Sequence, residues 1–161
     1  MRIWVDADAC PGEVKEIIIK AALRLAINTQ FVANKDIRLP PSPFLEAVRV
    51  PQGFDVADGH IASGANSGDL AITADIPLAS LLVPKGVVVI DPRGEVMTPL
   101  NIGERLALRN FMQEMRSGGT ITGGPAGYGA KDKQKFAAAF DAALTRLVRA
   151  ANASSSKTAP G

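Results

Sequence analysis

The length and composition of the chain predict one globular domain with a substantial core. It has 161 residues, of which 47% are apolar and 21% charged, and its mean hydropathy is +0.11. These values exclude a disordered chain, a collagen-like repeat and a charged coiled coil. One cysteine excludes a disulfide framework, and with one histidine it excludes a His/Cys zinc site. Because no apolar run reaches the roughly 18 residues of a membrane span, and no signal segment opens the chain, we expect a cytoplasmic protein with no membrane partner.

The net charge of +2 hides an asymmetry along the chain. Residues 1–92 carry 8 Lys and Arg against 11 Asp and Glu, whereas residues 93–161 carry 10 against 5. The asymmetry is compatible with chance. It also fits an acidic pocket on the first elements and an anion-binding surface on the last ones.

Apolar periodicity predicts that strands and helices alternate along the first 90 residues. Strands are predicted at residues 3–5, 29–33, 70–73 and 87–90, with either a strand or an irregular edge at 44–50. Helices are predicted at residues 14–26, 55–66, 76–82, 101–115 and 131–151. This alternation predicts an α/β domain over residues 1–150, with a mainly parallel sheet flanked by helices. Residues 151–161 are predicted to form a disordered tail.

Three of the predicted strands lead straight into aspartate. Asp6 and Asp8 follow the first strand, Asp75 follows the strand at 70–73, and Asp91 follows the strand at 87–90. Since the carboxyl ends of parallel strands meet at one edge of a sheet, we expect these side chains to gather there. Short carboxylates suit a hard divalent cation such as Mg²⁺ or Mn²⁺. The pattern therefore predicts a metal site at this edge.

Asp58 adds an independent indication of a site. Ile61 and Ala65 follow it at helical spacing, which places the carboxylate on the apolar face of its helix. An unpaired charge there would be unfavourable, so a cation or a partner group is expected. His60 lies on the other side of the same helix and is predicted to be a surface residue.

The carboxylates also have structural alternatives. Asp75 and Asp8 can each cap the helix that follows them, and Asp58 can accept N–H groups at the start of its own helix. Asp6 ends a strand with no helix beside it to cap, so a site role is favoured. Asp69 precedes the strand that Asp75 follows, so it belongs to the opposite edge and is predicted to be structural.

Four longer motifs resemble a known family. They are VDADACP, GFDVADGHIASGANSGDLAITADIPLA, DPRG and TGGP. They resemble the YaiI/YqxD-type family of uncharacterised bacterial proteins over about residues 1–150, and that family is in turn similar to the PIN-like nuclease superfamily. The resemblance implies a three-layer PIN-like fold. It also implies metal-dependent cleavage of RNA, with Asp6, Asp58 and Asp75 binding the metal and Asp8 assisting as a further candidate catalytic residue.

Two other functions remain open. The glutamate usual in the second helix of PIN-like nucleases has no clear counterpart here, which favours a non-catalytic domain that binds RNA or a protein partner. The other alternative is a haloacid-dehalogenase-like phosphatase, in which Asp6 is the nucleophile and Asp8 the general acid and base. Against it, Ala9 and Cys10 stand where a Thr or Val pair is usual.

The segment 117–129 is rich in glycine and flanked by cations. Backbone N–H groups at Gly123 and Gly124 can approach a phosphate closely. We predict that they bind the backbone of a nucleic acid together with four basic side chains, Arg93, Arg116, Lys131 and Lys133. The alternative is a mobile connector. Cys10, by contrast, is predicted to be a small buried side chain without a chemical role.

Overall fold

The computed structural model describes residues 1–53, 56–119 and 127–158, with side chains up to residue 153. Its centre is a six-stranded sheet formed by β1 (Ile3–Asp6), β2 (Thr29–Ala33), β3 (Leu45–Arg49), β4 (Leu70–Ile72), β5 (Val88–Ile90) and β6 (Val96–Met97). The strand order is β3-β2-β1-β4-β5-β6. Neighbouring strands are parallel except β5 and β6, which are antiparallel. The predicted α/β class with a mainly parallel sheet is confirmed.

Five helices flank the sheet. They are α1 (Gly12–Leu25), α2 (Val56–Gly64), α3 (Ile76–Leu82), α4 (Ile102–Ser117) and α5 (Ala130–Thr158). Each corresponds to a predicted helix. None of them, over the residues described, is long and apolar enough to cross a bilayer.

Alternation along the strands divides the core into two layers. On β1, Ile3 and Val5 pack with α1 and α5, whereas Trp4 packs on the opposite side with α2 and α3. The same alternation on β4 sends Ile72 to the first side and Ala71 to the second. The domain is therefore a three-layer sandwich of helices, sheet and helices.

The structure differs from the sequence prediction in two places after residue 90. β6 was not predicted, because two residues are too short to show a period, and it exists only as the return strand of a hairpin after β5. α5 continues through Thr158, past residue 151, from which a disordered tail is predicted. Extending an existing helix needs no new nucleus, which lets weak helix formers join it.

Candidate functional site

The strand order reverses at β1, which lies between β2 and β4. The chain leaves β1 towards β2 on one side, whereas β4 and β5 occupy the other side. Such a reversal opens a crevice beyond the carboxyl ends of the two central strands, and this is where open α/β sheets bind ligands. Asp6 is the last residue of β1, and Asp75 follows closely after β4. The fold thus brings the two carboxylates to one crevice.

Asp6 is buried and held by a threonine. Its Oδ2 accepts a hydrogen bond of 2.9 Å from the Thr73 hydroxyl, and the Thr73 Oγ1 in turn accepts one of 3.0 Å from the backbone N–H of Asp75. Thr73 links the segments that carry Asp6 and Asp75. It is not among the predicted site residues. The available signal was its place just after a strand, two residues before an aspartate.

The negative charge of the Asp6 carboxylate is disfavoured by its surroundings. Burial is the main cause that raises the pKa of its carboxyl, and the charges of Asp75 and Asp8 add to this, while the Thr73 hydrogen bond opposes it. Mutual repulsion of this kind requires that the three carboxylates lie within electrostatic reach of one another. A cation among them would remove the penalty.

Asp75 is the N-cap of α3. Its Oδ1 accepts from the backbone N–H of Leu78 at 2.9 Å, so the capping alternative is confirmed. The cap uses one carboxylate oxygen. Within the described part of the chain, no residue donates a hydrogen bond to its Oδ2, so capping and metal binding by Asp75 are compatible.

Asp8 does not cap α1. It lies in a 3-10 turn over Ala7–Ala9, and its exposed carboxylate accepts from the backbone N–H of Asn34 at 2.8 Å. The N-cap of α1 is Pro11, which has no side-chain oxygen, so the capping alternative for Asp8 is wrong. This hydrogen bond ties the end of β1 to the segment after β2.

Asp58 lies in the first turn of α2 and is half-buried. Ile61 and Ala65 are fully buried, as the spacing predicted. The prediction that His60 lies on the surface is wrong: its Nε2 is 2.7 Å from the Gln30 Oε1, and its ring meets the edge of Trp4. The buried face of α2 extends to this side because a glycine one turn further on, at position 64, lets the helix approach the Trp4 ring closely.

Asp69 is structural, as predicted. Its carboxylate is buried and accepts from the backbone N–H groups of Arg2 and Asn66 and from the Trp4 indole. It lies just before β4, at the opposite edge of the sheet from Asp75. Asp69 and Asp75 are the same residue type, but they lie at opposite edges of the sheet and have different surroundings.

The arrangement of these side chains limits which of them can bind a metal ion together. Among residues 1–53, 56–119 and 127–158, no three His, Cys, Asp or Glu side chains form a ready metal-binding group. Mg²⁺ commonly uses only one or two carboxylates and keeps several waters. The buried Asp6 and the half-buried Asp75, whose charges repel each other, fit that smaller donor set better than a three-carboxylate set.

Arg93 and Asp91 lie in the turn between β5 and β6. The Arg93 guanidinium forms an ion pair of 3.0 Å with Asp132 and lies 5.9 Å from the centre of the Tyr128 ring. The Asp91 Oδ1 accepts from the N–H groups of Arg93 and Glu95. Burial raises the pKa of the Asp91 carboxyl, and these two hydrogen bonds oppose the shift.

The predicted phosphate contacts are only partly brought together. Lys131 and Lys133 are exposed at the start of α5, close to the ion pair that Arg93 makes with the same helix. Arg116 lies in the last turn of α4, where its Nε donates to the Met112 carbonyl at 3.4 Å. Gly123 and Gly124 lie outside the described residues.

Cys10 is a buried side chain, as predicted. Burial raises the pKa of its thiol to about 12, so almost no thiolate exists near neutral pH. The cysteine therefore contributes packing volume beside α1 rather than nucleophilic chemistry.

These observations define a three-layer α/β protein with a carboxylate site at the switch point of a mainly parallel sheet. Within this class, the chain belongs to the YaiI/YqxD family: the family model described as "Uncharacterized BCR, YaiI/YqxD family" matches residues 4–146. The predicted membership is confirmed. Similarity of the family to PIN-like nucleases stays a prediction.

Relatives of this family cover nearly the whole chain. A UPF0178 protein of Myxococcus xanthus is 60% identical over 149 residues, which is 92% of this chain and 97% of the relative. A UPF0178 protein of Syntrophobacter fumaroxidans is 56% identical over 146 residues, or 91% and 95% of the two chains. One from Dechloromonas aromatica is 52% identical over 147 residues, or 91% and 98%. No solved structure matches the chain significantly.

Proposed function

We propose that this protein is a phosphodiesterase that depends on a divalent metal ion, Mg²⁺ or Mn²⁺, and that cleaves RNA. The observation that supports it most is the buried Asp6 carboxylate at the switch point, whose pKa is raised by burial and by the neighbouring charges of Asp75 and Asp8. Structural carboxylates in this protein, such as Asp69, are instead surrounded by N–H donors.

The residues of the crevice have two proposed roles, metal binding and positioning. Asp6 and Asp75 bind the cation, and Thr73 is a positioning residue that fixes one oxygen of Asp6. When bound, the cation supplies an activated water and stabilises charge on the phosphate. Asp8, whose charge acts on Asp6, and Asp58, in the first turn of α2, are proposed to bind the cation or its waters.

The RNA backbone needs cations outside the carboxylate crevice. The first turn of α5 carries Lys131 and Lys133, and Arg93 forms its ion pair with Asp132 in the same turn. Arg116 lies in the last turn of the preceding helix, α4. Together with the backbone N–H groups of Gly123 and Gly124, these side chains are proposed to bind successive phosphates.

The metal site is tested by titrating Mn²⁺ calorimetrically into the wild type, Asp6→Asn and Asp141→Asn. Asp141 is an exposed carboxylate on α5 and serves as the matched control. We expect binding to the wild type and to Asp141→Asn, and loss of at least tenfold in affinity in Asp6→Asn, because one of few carboxylate ligands is removed. A wild type that binds no Mn²⁺ would overturn the metal site.

The activity is tested with the same variants on a labelled RNA in the presence of Mn²⁺. We expect Asp6→Asn to reduce the cleavage rate at least about a hundredfold, since loss of the metal removes several kcal/mol of transition-state stabilisation. Cleavage that is equal in the wild type and Asp6→Asn would contradict the proposal, and so would a stable phosphoryl group on Asp6, which indicates the phosphatase alternative.

A non-catalytic RNA-binding domain is the second candidate. It is favoured by the finding that no three candidate ligands form a ready metal group in the part of the chain that the structure describes. RNA binding that is equal in the wild type and Asp6→Asn, with no cleavage by either, would support this candidate over the nuclease.

A further inference from the structure

A cleft of about 200 Å³ opens at the carboxyl edge of the sheet, beside the crevice that holds the carboxylates. We call it the Tyr128 cleft. It lies between the segments that follow β1, β4 and β5 and the residues that precede α5, and it is lined chiefly by Ala9, Ala74, Asp91, Pro92, Arg93 and Tyr128.

The cleft adjoins the candidate metal site through the chain itself. Ala9 directly follows Asp8, and Ala74 directly precedes Asp75. Neighbouring Cα atoms are about 3.8 Å apart. A ligand in the cleft therefore lies next to the backbone segments that carry Asp8 and Asp75.

The walls of the cleft are apolar and fixed. The Tyr128 hydroxyl donates a hydrogen bond of 2.9 Å to the Pro92 carbonyl, and the Arg93 guanidinium lies beside the same ring. Two alanine methyl groups and the Pro92 ring complete the apolar surface. The volume is below the roughly 300 Å³ at which sites for drug-sized ligands begin, so the cleft suits a single ring system.

One acceptor belongs to a residue that lines this apolar space, Asp91. Asp91 uses its Oδ1 for two backbone N–H groups, while its Oδ2 receives no hydrogen bond from the residues described. Among those residues no side-chain oxygen is both buried and without a partner, so this oxygen meets open space. A carboxylate oxygen accepts from exocyclic amino groups such as that of cytosine.

We propose that the Tyr128 cleft binds one amino-bearing nucleobase of a single-stranded RNA and so places the adjoining phosphate at Asp6 and Asp75. The inference rests on the proposed function for the class of polymer and adds the subsite that selects it. A base within a duplex is stacked and paired, and it would have to be flipped out at a cost of a few kcal/mol to enter.

Binding is measured by fluorescence anisotropy in the Asp6→Asn background, where the proposed nuclease does not cleave. The probes are labelled eight-nucleotide RNAs: a cytidine strand, a uridine strand, and a mixed-sequence strand alone or annealed to its complement. Ala74→Leu fills the cleft from an exposed position, and Tyr128→Ala removes its aromatic wall. Tyr128→Phe keeps the ring, and Phe111→Ala removes an exposed aromatic ring from α4 as the matched control.

We expect the cytidine strand to bind more tightly than the uridine strand, and the single strand at least tenfold more tightly than the duplex. Ala74→Leu and Tyr128→Ala should each weaken single-strand binding about tenfold or more, the usual effect of losing one stacked base. Tyr128→Phe should retain most of the affinity, and Phe111→Ala all of it. Circular dichroism of each variant confirms that it is folded.

Three results would overturn the base subsite: equal affinity for single strand and duplex, equal or tighter binding of the uridine strand, or single-strand affinity unchanged in folded Ala74→Leu. Absence of RNA binding would overturn it as well. Cleft-dependent binding without cleavage by the wild type would instead reject the proposed nuclease and leave the subsite standing.

Discussion

Two buried aspartates on the same sheet illustrate how position decides the role of a carboxylate. Asp69 is stabilised by N–H donors from three residues at one edge. Asp6, at the other edge, receives one hydroxyl hydrogen bond and faces two further negative charges. The first arrangement satisfies an anion, whereas the second leaves a need for a cation. The number of hydrogen-bond donors around a buried carboxylate therefore distinguishes a structural aspartate such as Asp69 from a candidate site residue such as Asp6.

Asp69→Ala tests the structural role. Removing the carboxylate leaves the Trp4 indole and two backbone N–H groups without their acceptor, so the free energy of unfolding should fall by about 3 kcal/mol. Urea unfolding followed by Trp4 fluorescence measures it. Mn²⁺ affinity of the folded variant should equal that of the wild type, and a loss of Mn²⁺ binding would place Asp69 in the site after all.

Asp91 predicts a pH dependence of stability. Its pKa is raised in the folded protein, so its contribution to stability is present at low pH and is lost as pH rises through that raised pKa. Asn at this position keeps an acceptor oxygen but does not ionise. The stability of Asp91→Asn relative to the wild type should therefore increase between about pH 4 and pH 7. Urea unfolding at both pH values measures this, and a relative decrease would contradict the assignment.

At the scale of elements, the turn between β5 and β6 joins the sheet to α5. Gly94 has a positive φ of 89°, and a Cβ there would lie 2.5 Å from the Lys135 carbonyl carbon. The neighbouring Arg93 forms its ion pair with Asp132 on the same helix. The turn thus fixes the start of α5 and, with it, the position of the Tyr128 cleft.

A matched pair of glycine substitutions tests this junction. Gly94→Ala adds a methyl group against backbone in a strained conformation, so it should lower the free energy of unfolding by about 2 kcal/mol or more. Gly103→Ala, in α4, meets nothing within 4 Å and should raise it by up to about 1 kcal/mol through helix propensity. Urea unfolding of both variants gives the comparison. Equal effects of the two substitutions would rule out the close approach of the turn to α5.

Helix α4 contributes no fully buried residue to the core. It packs on α3, and it exposes 60% of Leu108 and 54% of Phe111. The sequence predicted an amphipathic helix here, and the helix exists as predicted. Its apolar stripe is only partly used by the core that the structure describes.

Across the whole molecule, the acidic first part and the basic last part of the chain meet at one edge. Asp6 ends β1 and Asp75 follows β4, both in the first part of the chain, whereas Lys131 and Lys133 lie at the start of α5. The proposed metal site would then lie beside a basic surface, which suits a phosphodiester substrate, because a cation can act on one phosphate while the lysines bind its neighbours.

The salt dependence of RNA binding tests this arrangement. Each phosphate contact with a single strand contributes about 0.7 to the slope of log K against log salt concentration, so Lys131→Gln with Lys133→Gln should reduce the slope by about 1.4. Arg146→Gln with Arg149→Gln, exposed further along α5, is the matched control and should leave the slope unchanged. An unchanged slope in the lysine variant would remove these residues from the RNA surface.

The sequence by itself determined four of the strands in the described sheet, β1, β2, β4 and β5, and where the acids fall relative to them. Strand 29–33 was predicted to the residue. The apolar run before Asp91 identified the end of β5 correctly, and the run before Asp6 placed the end of β1 one residue early. These features are local, because a strand or helix that is buried on one face must repeat its apolar residues with the period of its backbone. The separation of Asp69 from Asp75 followed from strand length alone.

Only the tertiary structure decided which side chains meet. The Thr73 hydroxyl reaches Asp6 across 67 residues of sequence, Asp8 turns to Asn34, and His60 turns inward to Gln30. Such contacts depend on the strand order and on the roll of each helix over the sheet, and both are set by packing between distant segments. Periodicity shows which face of an element is buried, but it carries no information about what covers that face.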